Sequence, residues 1–175
     1  ITGPYPTNAI LRSVTPQRLI VAITGATGAV YGVRLLEMLR DAAVETHLVI
    51  SPWGRRTLLH ETTYTVDQVQ RLATVTYTPT DQGAAISSGS FQTAGMIIAP
   101  CSAKTLGAIA HGFGDGLIHR AADVVLKERE KPPPREPGFL PKFLQIEAGD
   151  ANLADLSLTL VSLGRALLRR ELSRP

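Results

Sequence analysis

The chain has 175 residues and a mass of 18.8 kDa, with 44% hydrophobic and 19% charged residues. That is enough for one packed domain, leaves little room for two, and argues against wholesale disorder. A single cysteine, Cys101, excludes an internal disulfide framework and a cysteine-built zinc site. With 18 basic and 15 acidic residues, a net charge of +3, no basic block and 5% aromatics, no nucleic-acid partner is expected. No apolar run reaches the ~18 residues of a membrane span, so no membrane partner is expected. A local cationic pocket for a phosphorylated small molecule remains compatible with this balance.

Residues 1–17 carry one arginine, Arg12, and no carboxylate. They read as a flexible leader, with the end of a transit peptide as the other reading. Arg18 to Thr24 is a continuous apolar run ending at a glycine turn, as expected of a strand buried on both faces of a parallel sheet. From Ala29 to Arg40, Val30, Val33, Leu36 and Leu39 recur at helical spacing. Thr46 to Ile50 predicts a second strand, and Ser51-Pro52 a helix start, serine capping and proline in the first turn. A short helix is expected over 66–73 and a long loop over 78–93, a length that is functional or disordered in compact domains. Gly95 to Ala99 predicts a third buried strand, followed by helices over 102–110 and 115–130. Strand alternating with helix predicts an α/β, doubly wound parallel sheet over residues 18–130. The run Lys131-Pro-Pro-Pro-Arg135-Glu136-Pro137-Gly138 predicts an extended linker, taken as 131–150. Leu153, Leu156, Leu160, Leu163 and Leu167 then predict a C-terminal helix of the same domain within 151–175, its last turn rich in arginine.

The chemistry concentrates at strand-to-helix turns. In Thr24-Gly25-Ala26-Thr27-Gly28-Ala29, glycines permit close backbone approach and a helix N-terminus favours an anion. The spacing lacks the third glycine of the dinucleotide fingerprint, so phosphate or flavin contact and a tight structural turn both remain open. Ser51 is either a plain N-cap or a ligand contact. Pro100-Cys101-Ser102-Ala103-Lys104-Thr105 forms a third such turn. All three lie at carboxyl ends of strands, on the sheet edge where open α/β folds bind ligands. Cys101 reads as a nucleophile or a buried small side chain, the second being commoner. Arg120 and Lys127, seven apart, can share a helix face, as a solvated basic face or as a pair of phosphate ligands. His47, His60, His111 and His119 show no metal-ligand spacing, and no metal is expected.

Four stretches, IVAITGATGAVYGVRLLEML, VETHLVISPWG, AAISSGSFQTAGMIIAPCSAKTLGAIAHGF and GLIHRAADVVLKERE, occur in order over residues 18–130. In them the sequence resembles the flavin prenyltransferase family, the UbiX/Pad1 group formerly called phenylacrylic acid decarboxylases. ISSGSF and RAADVVLKE are its specific strings, and the ETHLVIS wording is similar to the Pad1 branch.

The resemblance implies a three-layer, flavodoxin-like (Rossmann-type) fold and a homododecamer with sites at subunit contacts. It implies binding of FMN and dimethylallyl monophosphate, and transfer of the prenyl group to flavin N5 and C6 to give the cofactor of UbiD-type decarboxylases. A cytoplasmic or mitochondrial location goes with that role. By the same resemblance Gly25, Ala26 and Thr27, then Ser51, then Ser102, Ala103, Lys104 and Thr105 match flavin contacts. Ser88, Gly89 and Ser90, in the loop 87–90, match the prenyl site, and Arg120 and Lys127 match the ligands of the donor's phosphate. Such chemistry needs cations for the leaving phosphate and exclusion of water, and no metal if Arg and Lys supply the charge.

After residue 130 the sequence departs from the family pattern, and two alignments compete. In one, Pro134-Arg135-Glu136 match a P-R-E segment, making Glu136 the proton-handling, catalytic carboxylate and Arg135 a flavin contact. In the other, Pro137-Gly138-Phe139-Leu140 match a later P-A-F-Y turn, about thirty residues including the glutamate are absent, and 156–168 resembles the last helix. The alternatives to prenyl transfer are therefore an FMN-binding, non-prenylating subunit and a repurposed small-molecule lyase or isomerase.

Overall fold

A computed structural model describes residues 18–129 and the backbone of 143–145. Five strands form one fully parallel sheet in the order β3-β2-β1-β4-β5: β1 Arg18–Ile23, β2 Glu45–Ile50, β3 Val75–Tyr77, β4 Gly95–Ile98 and β5 Phe143–Gln145. The helices are α1 Ala29–Asp41, α2 Pro52–Glu61, α3 Val66–Gln70, α4 Ala103–His111 and α5 Leu117–Arg129, with a short 3-10 turn at Ala85–Ser87.

The two-residue period of the strands divides the core in two. Val21 stands in register with Leu48 and Ile97. These, with Ile23 and Ile50, pack against Val33, Leu36 and Leu39 of α1, Leu58 of α2 and Val69 of α3. Ile20, Ala22, Val49, Met96 and Ile98 point the other way, against Leu117, Ile118, Ala121, Ala122 and Val125 of α5 and against Ile86. The strand order reverses between β1 and β4, which opens a crevice at their carboxyl ends.

Several expectations are corrected. The strand β3 lies between the expected short helix and the expected loop; at three residues with an exposed centre and half-buried flanks it carries almost no periodic signal. The short helix stops at Gln70 rather than at 73. On α1 the buried stripe runs through Ala29, Gly32, Val33, Leu35, Leu36 and Leu39, and Val30, 39% exposed, lies well round the helix from the centre of that face. Within the segment expected to be linker, residues 143–145 pair with β4. The expected leader and C-terminal helix lie outside the described residues.

Candidate functional site

The turns after β2, β1 and β4 stand side by side, because those three strands are neighbours in space although β3 intervenes in the chain. Main-chain bonds carry the sheet into them: Ala99 N donates to Ala22 O at 2.9 Å, Ser51 N to Ile23 O at 2.9 Å and Thr24 N to Pro100 O at 3.1 Å. Thr24 is 1% exposed. Its hydroxyl donates to Pro100 O at 2.8 Å and accepts from the Ser102 amide at 2.7 Å, so one buried side chain ties the first turn to the third.

Each helix entering this edge has its N-terminus occupied by protein. The Ser51 hydroxyl accepts from Gly54 N at 2.9 Å at the start of α2, and the Ser102 hydroxyl accepts from Thr105 N at 3.2 Å at the start of α4. At α1 no side chain of the turn itself caps the helix, and Gly28 takes the left-handed conformation at φ 99°. The carboxylate of Glu61, at the end of α2, instead accepts from Gly28 N at 2.8 Å and from Ala29 N at 2.9 Å. The anion expected at this N-terminus is thus supplied by the chain itself. The sequence held no local sign of it, because Glu61 lies 33 residues from Gly28.

Gly25 and Gly54 are required by close approach. A Cβ at Gly25 would overlap Trp53 Cβ, and one at Gly54 would overlap the Ile23 carbonyl. Trp53 lies beside the first turn, 66% exposed, with the Arg56 guanidinium 4.8 Å from its ring centre. Gly25, Thr27, Ala103 and Lys104 are exposed, while Ala26, Ser51 and Ser102 are half-buried. Thr105 is buried, its hydroxyl 3.0 Å from that of Ser102, which places it behind the edge rather than on it. Cys101 is 4% exposed, as the commoner reading of that residue expects.

The other sequence-picked residues lie elsewhere. Arg120 and Lys127 are both exposed on α5, separated by two turns or about 10 Å of rise. Arg120, with Gln82, His119 and Asp123, lines a cavity of about 180 Å³ beside the first turn of α5. His119 Nδ1 is buried there without a hydrogen-bond partner, and this desolvation holds the imidazole below its ordinary pKa. Ser88, Gly89 and Ser90 form an exposed turn beside Glu128, near the end of α5. The two serine hydroxyls are 2.8 Å apart. The turn runs into Phe91, which stacks under Arg18 at the start of β1. The three carboxyl-edge turns therefore lie together, and the Ser88–Ser90 turn lies toward the opposite end of the sheet. Arg135 and Glu136 are outside the described residues.

A doubly wound parallel sheet with a polar, self-capped crevice at its β1/β4 reversal is the architecture of the nucleotide-binding class of α/β folds. The Flavoprotein family model matches residues 8–132, and the chain belongs to that family. It is 61% identical over 114 residues to a probable UbiX-like flavin prenyltransferase of Bacillus subtilis, covering 65% of this chain and 56% of that protein. It is 56% identical over 116 residues to the mitochondrial flavin prenyltransferase PAD1 of Saccharomyces cerevisiae, covering 66% of this chain and 48% of that protein. The chain thus spans only about half the length of these curated relatives. Among solved structures, AnUbiX (PadA1), in complex with FMN and dimethylallyl pyrophosphate, superposes with a TM-score of 0.69 at 40% identity, covering 86% of this chain and 74% of that one. A dodecameric, FMN-dependent UbiX-like decarboxylase of Escherichia coli O157:H7 superposes at 0.68 with 44% identity, covering 86% and 76%. The flavodoxin-like fold and the resemblance to flavin prenyltransferases are both borne out.

Proposed function

We propose that this chain forms the flavin-binding part of a flavin prenyltransferase, which takes FMN and dimethylallyl monophosphate and supplies prenylated FMN to a UbiD-type decarboxylase. The observation that carries this reading is the 61% identity to a UbiX-like flavin prenyltransferase over 114 residues.

The crevice fits an anionic, planar cofactor. Lys104 is exposed and makes no ion pair among the described residues, and the carboxylate of Glu61 is taken up by the amides of α1. The exposed indole of Trp53 gives an apolar wall beside Gly25. Gly25, Ala26, Thr27, Ser51, Ser102, Ala103 and Lys104 would hold the cofactor, with Thr105 fixing Ser102 from behind. A bound reduced flavin would supply the electron-rich ring that accepts the prenyl group. Arg120 and Lys127 take the donor's phosphate as its allylic C–O bond breaks and the electron pair leaves with the phosphate, so the developing negative charge meets two cations. Ser88, Gly89 and Ser90 contact the donor. If the P-R-E alignment holds, Glu136 would be the proton-handling carboxylate and Arg135 would contact the flavin.

In one chain the Ser88–Ser90 turn lies away from the flavin crevice. The proposed assembly is accordingly a homo-oligomer in which one copy completes the crevice of another, as the dodecameric relative suggests. A cytoplasmic or mitochondrial setting agrees with the bacterial and yeast mitochondrial relatives.

The test is the absorption spectrum and flavin mass of the purified protein before and after anaerobic incubation with reduced FMN and dimethylallyl monophosphate. Bound flavin of increased mass is the expected result. Bound flavin of unchanged mass would leave a flavin carrier.

A further inference from the structure

A chain of partly buried polar contacts, centred on one buried histidine, stands at the amino end of the sheet, away from the crevice, on the face covered by α5. His47, on β2, is 4% exposed. Its Nδ1 is 2.9 Å from the Tyr77 hydroxyl on β3, and its Nε2 is 3.0 Å from Glu45 Oε1, two residues earlier on the same face. The same carboxylate oxygen accepts from Arg18 Nε, on β1, at 3.1 Å. Four side chains from three strands are thereby fixed against one another.

The role of this cluster, at the edge of the apolar layer, follows from what it grips. Phe91 meets the His47 ring edge-on at 4.8 Å between centroids, and the Arg18 guanidinium lies 5.4 Å from the Phe91 centroid. Phe91 is therefore held from two sides, by an aromatic edge and by a cation whose position is set by Glu45. Phe91 directly follows the Ser88–Ser90 turn, and its amide donates back to Ser88 O at 3.1 Å. On the other side of the turn, Ile86 is 1% exposed in the core. Between these two anchors the exposed turn carries its own Ser88–Ser90 hydroxyl contact and no strand pairing. Its geometry depends on where Phe91 sits.

We infer that His47 is a positioning residue that, through Phe91, sets the geometry of the Ser88-Gly89-Ser90 turn and thereby the affinity for the prenyl donor rather than for the flavin. This rests on the assignment of that turn to the donor site proposed above. A purely structural histidine would lower both affinities together as the sheet loosened. The crevice at the other end of β1 and β2 is closed by Thr24, Ser51 and Ser102, none of which touches the His47 chain.

The experiment compares the 175-residue chain with its His47→Leu, Tyr77→Phe and Phe91→Leu variants. It measures FMN affinity, the donor KM and amide hydrogen exchange by segment. For His47→Leu and Phe91→Leu the donor KM should rise about tenfold, since a misplaced contact group costs that order or more. FMN affinity should stay within about twofold. Exchange should accelerate over 87–91 and remain unchanged over 25–29 and 51–54. Tyr77→Phe, which leaves the imidazole in place, should give a smaller change of the same pattern. If His47→Leu does not fold, Phe91→Leu decides, because it leaves the polar chain intact. An unmoved donor KM in Phe91→Leu, or an equal loss of FMN affinity, overturns the inference while the prenyltransferase reading stands. Wild-type protein that binds FMN but never alters its mass overturns that reading, and the donor role of the turn with it.

Discussion

Thr24 and Ser102, 78 residues apart, share a hydrogen bond: the Ser102 amide donates to the Thr24 hydroxyl, which donates onward to the Pro100 carbonyl. The residue that ties the two sides of the crevice is thus buried and touches no solvent. Replacing Thr24 by valine keeps the shape and leaves the Ser102 amide without its partner, while the Pro100 carbonyl keeps its bond from the Thr24 amide. The expected loss is about 1–2 kcal/mol of stability, since one partly buried donor is left unpaired. FMN affinity should fall about tenfold through displacement of Ser102, whereas Thr24→Ser should retain both properties. Urea unfolding with a parallel flavin titration checks this, and a Thr24→Val protein with unaltered FMN binding would remove Thr24 from the site.

Glu61 offers a second test. Its carboxylate spans two amides at the start of α1, where the helix dipole favours negative charge. Glu61→Ala should cost about 1 kcal/mol, the usual value of a lost N-cap. Glu61→Gln, which keeps an acceptor oxygen and loses the charge, should cost about half of that. Because the cap fixes Gly28, the loss of order should appear as faster amide exchange over residues 25–30. Uniform acceleration along the whole chain would instead mark a general packing defect.

The sheet and the three crevice turns were legible because their signals are local: apolar runs with strand period, and a hydroxyl or glycine where each run stops. What the sequence withheld was contact between distant segments. The Glu61 cap and the bond between Thr24 and Ser102 join residues 33 and 78 apart, and no spacing rule reaches across such distances. Trp53 was hidden for a similar reason, since its place beside Gly25 follows from the packing of α2 against the first turn. β3 was missed because three residues hold less than two periods of alternation. Val30 shows the limit of the helical stripe itself: the spacing named a face, and the sheet selected one rotated from it.

Gly25→Ala and Gly54→Ala probe the close approach of the turns. Each added methyl meets an atom without freedom to move aside, Trp53 Cβ in one case and the Ile23 carbonyl in the other. Overpacking of this kind typically costs about 1–3 kcal/mol. Gly54→Ala should be the worse for FMN binding, since the displaced carbonyl belongs to the bond between Ile23 and Ser51 that closes the crevice floor. Thermal unfolding and flavin titration of the two variants side by side test that order.

His119 gives the fold a pH dependence that can be assigned. Burial of Nδ1 without a partner is the main cause lowering its pKa from 6.5; Asp115 acts in the opposite sense and Lys104 adds to the lowering. With the folded value below the unfolded one, the unfolded chain binds more protons between the two, so stability rises with pH across that window. The contribution is present above about pH 6.5 and is lost as pH falls through the lowered folded value. Glu45 acts further down. The hydrogen bond from His47 and then that from Arg18 hold its carboxyl below 4.5, so its stabilisation persists above that pH and is lost beneath it. His119→Leu should therefore flatten the Tm–pH curve just below pH 6.5 and leave the limb below pH 4.5 in place. If the variant's curve parallels the wild type's just below pH 6.5, the titration there belongs to another group.

Substitutions at Arg120 and Lys127, the proposed phosphate ligands, test the separation of donor binding from flavin binding most directly. Both are exposed, and neither makes an ion pair among the described residues. Removing either should therefore cost little stability, within about 0.5 kcal/mol as for other surface positions. Loss of one phosphate ligand should raise the KM for dimethylallyl monophosphate at least about tenfold, with a fall in kcat wherever the cation also receives charge in the transition state. Arg120→Lys should recover only part of this, because an ammonium cannot replace the planar fork of a guanidinium on a phosphate. The two effects should also interact: if both side chains converge on one phosphate, the double variant loses less than the product of the single losses. Steady-state kinetics on the wild type and these four variants, with FMN affinity measured in parallel, test this arrangement. Losses that multiply independently would place the two cations on separate groups, and a joint fall in FMN affinity would assign them to the flavin.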